Sequence, residues 1–388
     1  MTTPETPLEI LRRLVAIPSV SSVSNLPLIE WVAASLRPLG WSVRVIEWTD
    51  EQGIAKANLL AFAPGPGSQP DPQSGQLAFV CHTDTVPPAV GWRDPCTLRV
   101  ADGHAHGLGA CDVKAALACF LAAVTNLPRE SVQSGLALLL TADEEIGCKG
   151  MDRLLAAEPG LRFVRAIVSE PTRLCPAVAG KGYGLARVTV RGREAHSAFP
   201  NEGVSAIAAA AQLIPHILTE PHAAPHASAD AATHALFDPP TTTFNIGTLT
   251  GGTAKNIIPG ECSFLVEWRA VPTEPTGAVP ARLRRILAAA QVDLAPGITV
   301  ALEPLRDEPG FDRAAATPLA DHLSAALRRP LTGISFGSEA TRVARIAREV
   351  VVIGPGDMHT AHSDRECVPV AELDEWTHIL RDLFRRAF

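Results

Sequence analysis

The sequence predicts an α/β fold in which a mainly parallel central sheet is interrupted by a second, smaller domain. Short apolar runs, typical of strands buried on both faces, alternate with helical segments up to residue 176 and again after residue 305. Residues 177–304 follow a different order, βαββαβ, which is that of a ferredoxin-like unit. We therefore expect a discontinuous first domain, residues 1–176 and 305–388, and an inserted domain at residues 177–304.

The first domain is predicted to begin with two helices and two strands and then to continue into buried strands. The expected early elements are helices at Pro4–Val15, Leu26–Leu39 and Asp112–Thr125 and strands at Ser42–Glu47 and Ala57–Phe62. The expected buried strands are Gln76–Cys81, Leu136–Ala142, Ala166–Ser169 and Val350–Ile353. The carboxyl ends of parallel strands form one edge of a sheet, and ligands of open α/β sheets bind there.

The inserted domain is predicted from alternating apolar residues and two helical segments. The expected strands are Leu185–Arg191, Thr242–Thr250, Cys262–Arg269 and Ile298–Glu303, and the expected helices are Gly203–Leu218 and Gly277–Gln291. Two Pro-rich stretches, 63–74 and 221–240, are predicted to be loops. The second contains His222, His226 and His234, but their irregular spacing and the flanking prolines favour a solvated loop over a metal site.

Histidines and acids follow all four buried strands, and together they match a two-metal site. The residues are His82, Asp112, Glu145, Glu170 and His362, with Asp84 and Glu144 beside them. Three carboxylates and one hydroxide balance two divalent cations, and one carboxylate can bridge cations about 3.5–4 Å apart. Asp84 is expected to accept the second ring N–H of His82. Glu144 is adjacent to a ligand but is not needed as one, which suits a general base.

Each of these residues also has a simpler explanation when taken alone. A histidine at a strand end is more often a hydrogen-bonded structural residue, Asp112 could cap a helix, and Glu144–Glu145 could form a solvated turn. The recurrence of such groups after four buried strands favours the metal site, because unrelated surface residues would rarely produce it.

The chain resembles the cocatalytic dizinc aminoacylase and carboxypeptidase-like amidohydrolases, and within them the acetylornithine deacetylases, with the succinyl-diaminopimelate desuccinylases as near relatives. Seven ordered motifs carry the resemblance: residues 82–87 (HTDTVP), 107–114 (GLGACDVK), 141–147 (TADEEIG), 169–172 (SEPT), 192–197 (GREAHS), 251–259 (GGTAKNIIP), and 354–356 (GPG) with 361–362 (AH). The sequence departs from the family pattern at Leu108, where Arg is usual, and at Val113–Ala115, where Met-Lys-Gly is usual. Neither departure falls on an expected ligand.

The resemblance implies a zinc-peptidase-like fold for the first domain and a role for each site residue. Asp112 would bridge two Zn²⁺ ions, for which Co²⁺ can substitute. His82 and Glu170 would bind one ion and Glu145 and His362 the other, with Glu144 as the base. The inserted domain would be a lid through which two chains form a homodimer.

Further residues are implied to contact the substrate. His196 resembles a histidine that reaches the scissile carbonyl of the partner subunit; the alternative is a turn cap. Asn256 and Arg269 resemble residues that hold a substrate α-carboxylate; the alternative for Arg269 is a surface salt bridge. Glu339 would face a cationic substrate side chain; the alternative is an acid at a helix start.

Composition agrees with an enzyme of the cytoplasm. The net charge is −7, 46% of the 388 residues are hydrophobic, and the eight cysteines lack CxxC spacing. Without a basic run, an apolar leader or a long apolar stretch, we expect neither nucleic acid nor a membrane as a partner.

The expected reaction is hydrolysis of the amide of an N-acyl amino acid. The substrate that we expect is N2-acetyl-L-ornithine, as a step of arginine biosynthesis. The alternatives are desuccinylation of succinyl-diaminopimelate, another N-acyl-amino-acid amidohydrolase or, in a different class, a binding protein without catalysis.

Overall fold

The computed structural model describes residues 5–64, 74–128, 131–132, 135–219 and 227–385. The chain divides into two compact units. The first comprises Met1–Val178, Arg313–Thr332 and Ser338–Phe388, and the second comprises Ala179–Asp312 and Gly333–Gly337. The sequence placed the second boundary at residue 304; the second unit extends further because its last strand continues to Glu308.

The bounds of the strands are as follows: β1 Ser42–Thr49, β2 Ala55–Phe62, β3 Ser74–His82, β4 Arg99–Ala101, β5 His104–His106, β6 Leu136–Thr141, β7 Arg162–Val168, β8 Ala177–Gly180, β9 Tyr183–Arg191, β10 Ala195–His196, β11 Thr243–Gly251, β12 Ile257–Ile258, β13 Glu261–Arg269, β14 Thr299–Glu308, β15 Thr332–Ile334, β16 Ala347–Val352 and β17 Cys367–Pro369. The helices are α1 Pro7–Ala16, α2 Leu26–Leu36, α3 Ala115–Thr125, α4 Lys149–Ala157, α5 Ala206–Leu218, α6 Ala227–His234, α7 Ala278–Gln291, α8 Pro318–Leu327, α9 Ala340–Val343 and α10 Val370–Arg385.

Most strands of the first unit belong to an eight-stranded sheet with the order β1-β2-β6-β3-β7-β16-β8-β15. The four central strands, β6, β3, β7 and β16, are parallel, whereas β1 and β2 are antiparallel to their neighbours. Every residue of β6 is buried, as expected for a strand covered on both faces. The predicted parallel sheet is therefore confirmed, and its central strands end at one edge.

Helix α3 contributes much of the core of the first unit. Ten of its eleven residues, all but Thr125, are buried, and it contacts α1 and α10. The Phe120 ring lies 4.8 Å from the Phe79 ring on β3 and 5.2 Å from the Phe384 ring on α10. Loss of so buried an aromatic side chain costs about 3–5 kcal/mol of stability. The helix is thus fixed close to the residues that precede it, which include Asp112.

The second unit is the predicted ferredoxin-like fold. Its four strands form an antiparallel sheet with the order β11-β13-β9-β14. Alternate residues of β9 (Ala186, Val188, Val190) are buried in one apolar core with residues of α5 and α7. The two-residue strands β10 and β12 pair separately, with His196 opposite Ile257. An all-apolar core of this kind needs no ligand to hold the fold.

Several predicted elements are shifted or wrong. Helix α1 starts at Pro7 because Thr6 and Glu9 form a reciprocal capping box; Pro4 lies outside the described residues. Asp112 does not start a helix: residues 110–114 form an irregular turn, with Asp112 at φ −113° and ψ 91°, and α3 begins at Ala115. The Asp112–Val113 peptide bond is cis.

The predicted loop at residues 221–240 is also wrong in part, because it contains α6. His234 is buried rather than solvated, and its Nε2 lies 2.8 Å from the Thr273 hydroxyl oxygen. His222 and His226, together with most of the loop predicted at 63–74, lie outside the described residues. Among the described helices, none is long and apolar enough to span a membrane.

Candidate active site

The carboxyl ends of the four central strands bring the predicted residues of the first unit together. His82 is the last residue of β3, Glu144 and Glu145 follow β6, and Glu170 follows β7. His362 follows β16 after the turn at residues 354–356 and has a left-handed backbone conformation, with φ of 58°. Side chains far apart in the sequence therefore meet at one edge because parallel strands end there.

These residues form two groups that share Asp112. The possible ligand atoms of His82, Asp112 and Glu170 all lie within 4.8 Å of one another, and so do those of Asp112, Glu145 and His362. Asp112 Oδ1 is 3.2 Å from His82 Nε2, and Asp112 Oδ2 is 3.0 Å from His362 Nε2. Because each carboxylate oxygen faces a different histidine, Asp112 has the geometry of a bridging ligand.

The electrostatics of the two groups also fit a pair of cations. Burial opposes protonation of His82, but its bond to Asp112 and the surrounding acids raise the pKa of His82 well above its usual value. The bonds to Asp112 and Glu145 raise the pKa of His362 to about 10. Burial and the charge of Asp112 raise the pKa of Glu170 strongly. The acids thus attract positive charge to two points, and metal ions bind such groups by displacing their protons.

Asp84 supports this site, although not through the expected bond. The Nδ1 atom of His82 lies 3.0 Å from the backbone oxygen of Asp84, whereas the nearer carboxylate oxygen is 3.7 Å away. The carboxylate instead accepts the backbone N–H groups of Glu144 and Glu145, at 3.0 and 3.2 Å, and the Ser21 hydroxyl at 2.7 Å. The main chain of Asp84 therefore fixes the His82 ring. Its side chain fixes residues 143–145, which we call the acid turn.

Glu144 lies beside the two groups without belonging to either. Burial raises the pKa of Glu144 to about 8, because the charges of the neighbouring acids add to this effect and only the charge of His82 opposes it. The Cys148 thiol donates to Glu144 Oε1 at 3.3 Å. A carboxylate with a pKa in this range suits proton transfer near neutral pH.

Sequence reasoning missed Glu366. Its side chain is buried and accepts the backbone N–H groups of Gly109, Cys111 and Asp112 at 3.1, 3.0 and 3.1 Å. It thereby fixes the irregular turn that carries Asp112. The sequence signal was slight: an acid that directly precedes a short strand, four residues after His362.

The remaining predicted residue of the first unit, Glu339, is buried. It immediately precedes α9, as the helix-start alternative required, and is only 1% exposed. Burial raises its pKa to about 7. The departures at Leu108 and Val113 are also buried, and both are apolar.

Of the three predicted residues of the second unit, two are exposed and Arg269 is half-buried. His196 is exposed, and its Nδ1 accepts the backbone N–H of Ala198 at 3.0 Å, which leaves the proton on Nε2. Asn256 is exposed, and its backbone oxygen accepts the N–H of Ser197. Arg269 pairs with Glu267 at 2.9 Å and stacks over the Tyr183 ring at 4.6 Å, so the salt-bridge alternative describes its contacts in this structure.

Comparisons with known proteins agree with the geometry of the site. Residues 78–386 match the profile of peptidase family M20/M25/M40. An acetylornithine deacetylase from Myxococcus xanthus is 38% identical over 94% of this chain and 92% of its own, and one from Erwinia tasmaniensis is 31% identical over 94% and 93%.

Among solved structures, a tripeptidase from Staphylococcus aureus superposes with a TM-score of 0.77 at 21% identity and covers 99% of both chains. A dinuclear metal-binding peptidase of family M20 from Bacillus subtilis superposes with a TM-score of 0.68 at 15% identity, covering 98% of this chain and 96% of its own. The predicted resemblance is confirmed: the chain belongs to peptidase family M20/M25/M40, as a metal-dependent amidohydrolase.

Proposed function

We propose that this hydrolase removes the acetyl group from N2-acetyl-L-ornithine and releases L-ornithine and acetate. The observation that carries the hydrolytic part is the pair of residue groups that share Asp112, with Glu144 adjacent to Glu145 but outside both groups. The choice of substrate rests on the deacetylases that are 38% and 31% identical over nearly the whole chain. A step of arginine biosynthesis follows from that choice.

The residues present suit two Zn²⁺ ions, or Co²⁺ in their place. His82 and Glu170 would hold one ion, Glu145 and His362 the other, and Asp112 both. Imidazole and carboxylate donors with one shared carboxylate are the usual ligands of such pairs. When bound, the ions supply Lewis acidity toward the acyl carbonyl and toward the attacking water.

The chain's own groups would carry the protons. Glu144 takes the proton of the attacking water at its carboxylate and then gives a proton to the nitrogen of the leaving amine. Asp84 keeps Glu144 in place through the backbone N–H, so the carboxylate does not have to reorganise during the reaction.

The second unit is proposed to act as a lid through which two chains form a dimer. Its strand β11 lies at an edge of the four-stranded sheet, and pairing of two lids would cover such an edge. His196 carries its proton on Nε2 and could donate it to the developing oxyanion of the partner subunit. Asn256 and Arg269 would hold the α-carboxylate, with Arg269 exchanging Glu267 for the substrate.

Glu339 is proposed to attract the cationic side chain of the substrate from its buried position. The competing substrate is N-succinyl-diaminopimelate, because that reaction belongs to near relatives and uses the same metal chemistry. A preference for it would fit a site in which another group, and not Glu339, selects the substrate side chain.

A substrate panel tests this proposal. We expect kcat/KM for N2-acetyl-L-ornithine to exceed that for N-succinyl-L,L-diaminopimelate and for other N-acetyl and N-succinyl amino acids, measured with Zn²⁺ or Co²⁺ added. A higher kcat/KM for the succinyl compound would overturn the choice of substrate. No cleavage of any panel member by metal-loaded protein would contradict amidohydrolase function itself.

A further inference from the structure

Lys56 is a fully buried lysine that binds three oxygens from two separate segments. Its side chain is 1% exposed, and its ammonium donates to the backbone oxygens of Ser21 and Val23 at 2.6 and 2.9 Å. It also forms an ion pair with Asp143 Oδ1 at 2.9 Å. A lysine is rarely buried to this extent unless all its donors are used, and here the three N–H groups have three acceptors.

One segment that Lys56 binds belongs to the acid turn, residues 143–145, and the other is linked to that turn through Asp84. Asp143 immediately precedes Glu144 and Glu145 and has a left-handed backbone conformation, with φ of 56°. Ser21, whose carbonyl binds Lys56, donates its hydroxyl to Asp84 Oδ2 at 2.7 Å. Asp84 in turn holds the backbone N–H groups of Glu144 and Glu145. One ammonium thus fixes the acid turn from two sides, directly through Asp143 and indirectly through Ser21 and Asp84.

We propose that Lys56 is a positioning residue that holds Glu144 and Glu145 where the reaction needs them. The inference rests on the proposed two-metal function, and it assigns a role to a side chain that reaches neither metal nor substrate. Its expected signature is selective. Loss of Lys56 weakens the metal position made by Glu145 and His362 and lowers kcat, whereas His82, the last residue of β3, and Glu170, just after β7, are held by their own strands.

The test separates positioning from folding. Lys56→Met alone leaves Asp143 buried without its cation and lowers the melting temperature, since one partner of a buried pair is lost. Lys56→Met/Asp143→Asn removes both charges, and Asn tolerates the left-handed conformation at residue 143. Lys149→Met, at an exposed lysine of the same unit, is the matched control.

Three quantities are measured for each variant: the melting temperature without metal, the two Zn²⁺ dissociation constants from calorimetric titration, and kcat and KM for an N-acyl amino acid that the wild-type enzyme cleaves. For the double variant we expect a melting temperature above that of Lys56→Met, one Zn²⁺ dissociation constant raised about 10–100-fold with the other unchanged, and kcat lowered by about 10-fold or more with little change in KM. The Lys149→Met control should match the wild type in all three.

Wild-type zinc affinity at both sites and wild-type kcat in a folded double variant would overturn the role of Lys56 and leave the proposed function intact. Fewer than two Zn²⁺ sites in the wild type would overturn both. If the double variant does not fold, Lys56→Met decides, with kcat measured at a temperature below its melting temperature. A several-fold lower kcat in the folded single variant supports the proposal, and a wild-type kcat overturns it.

Discussion

The two units differ in what they bury. Among the described residues, the first unit buries ten Asp, Glu, Lys or His side chains: Lys56, His82, Asp84, Asp112, Lys114, Asp143, Glu170, Glu339, Glu349 and Glu366. Among the described residues of the second unit, the buried side chains of these types are Lys181 and His234, and its main core cluster is apolar. Burial of unpaired charge is costly, so a fold that retains many buried charges must hold them through pairing or through metal ions. Both candidate metal-binding groups accordingly lie in the first unit, whereas contact of the second unit with the substrate is a proposal.

Removal of the metals should give the largest effect. Chelation should lower kcat/KM of the wild type by at least about 10³-fold, the equivalent of about 4 kcal/mol in the barrier. His82→Ala and His362→Ala should each retain fewer than two metal equivalents, because each removes the one imidazole of its group. Metal analysis of the purified variants checks this. Two equivalents retained in either variant would mean that its histidine is not a ligand.

Loss of the base should come next. Glu144→Ala should keep the fold and both metals but lower kcat by about 10²–10⁴-fold, since the residue transfers protons and belongs to neither group of ligands. Steady-state kinetics with metal analysis on the same sample measures both properties. Glu47→Ala, at an exposed position on β1, is the control and should match the wild type. A fully metal-loaded Glu144→Ala enzyme with the wild-type rate would disprove the role.

His196 extends the comparison to the second unit. His196→Ala should lower the rate by about 10²–10³-fold, the usual effect of removing one oxyanion donor, without loss of metal. Mixing inactive His196→Ala and inactive Glu144→Ala subunits should restore one working site in each mixed dimer. Verified mixed dimers that remain inactive would show that His196 does not act across a dimer.

The smallest expected effect concerns Glu349, a buried acid that belongs to neither group of proposed metal ligands. Its carboxylate accepts the N–H groups of Leu319 and Ala320 at the start of α8, yet burial raises its pKa above the usual 4.5. The folded state then holds its proton more tightly than the unfolded state. The stability that Glu349 contributes should therefore fall as the pH rises from 4.5 through the folded-state pKa.

Urea unfolding of metal-free wild type and Glu349→Gln between pH 4 and pH 7 measures this contribution as a difference in the free energy of unfolding. The difference, wild type minus variant, should decrease with pH by up to about 1.4 kcal/mol per unit of pKa shift. A difference that stays constant or increases would show that the folded state does not raise this pKa.

The sequence was sufficient for the sheet and for the residues that follow its strands, because apolar runs and the acids after them are local patterns. It did not predict Glu366 or Lys56, since their partners are remote: Glu366 binds Cys111, 255 residues away, and Lys56 binds Asp143, 87 residues away. The expected helix start at Asp112 was wrong for a related reason. The turn there is held by Glu366, which local helix propensity does not register.

The two-metal account is tested most directly by anomalous diffraction from crystals grown with Zn²⁺. We expect two zinc peaks about 3.5–4 Å apart, one among His82, Asp112 and Glu170 and the other among Asp112, Glu145 and His362, with Asp112 contacting both. A single peak, or a second peak away from Glu145 and His362, would contradict the account.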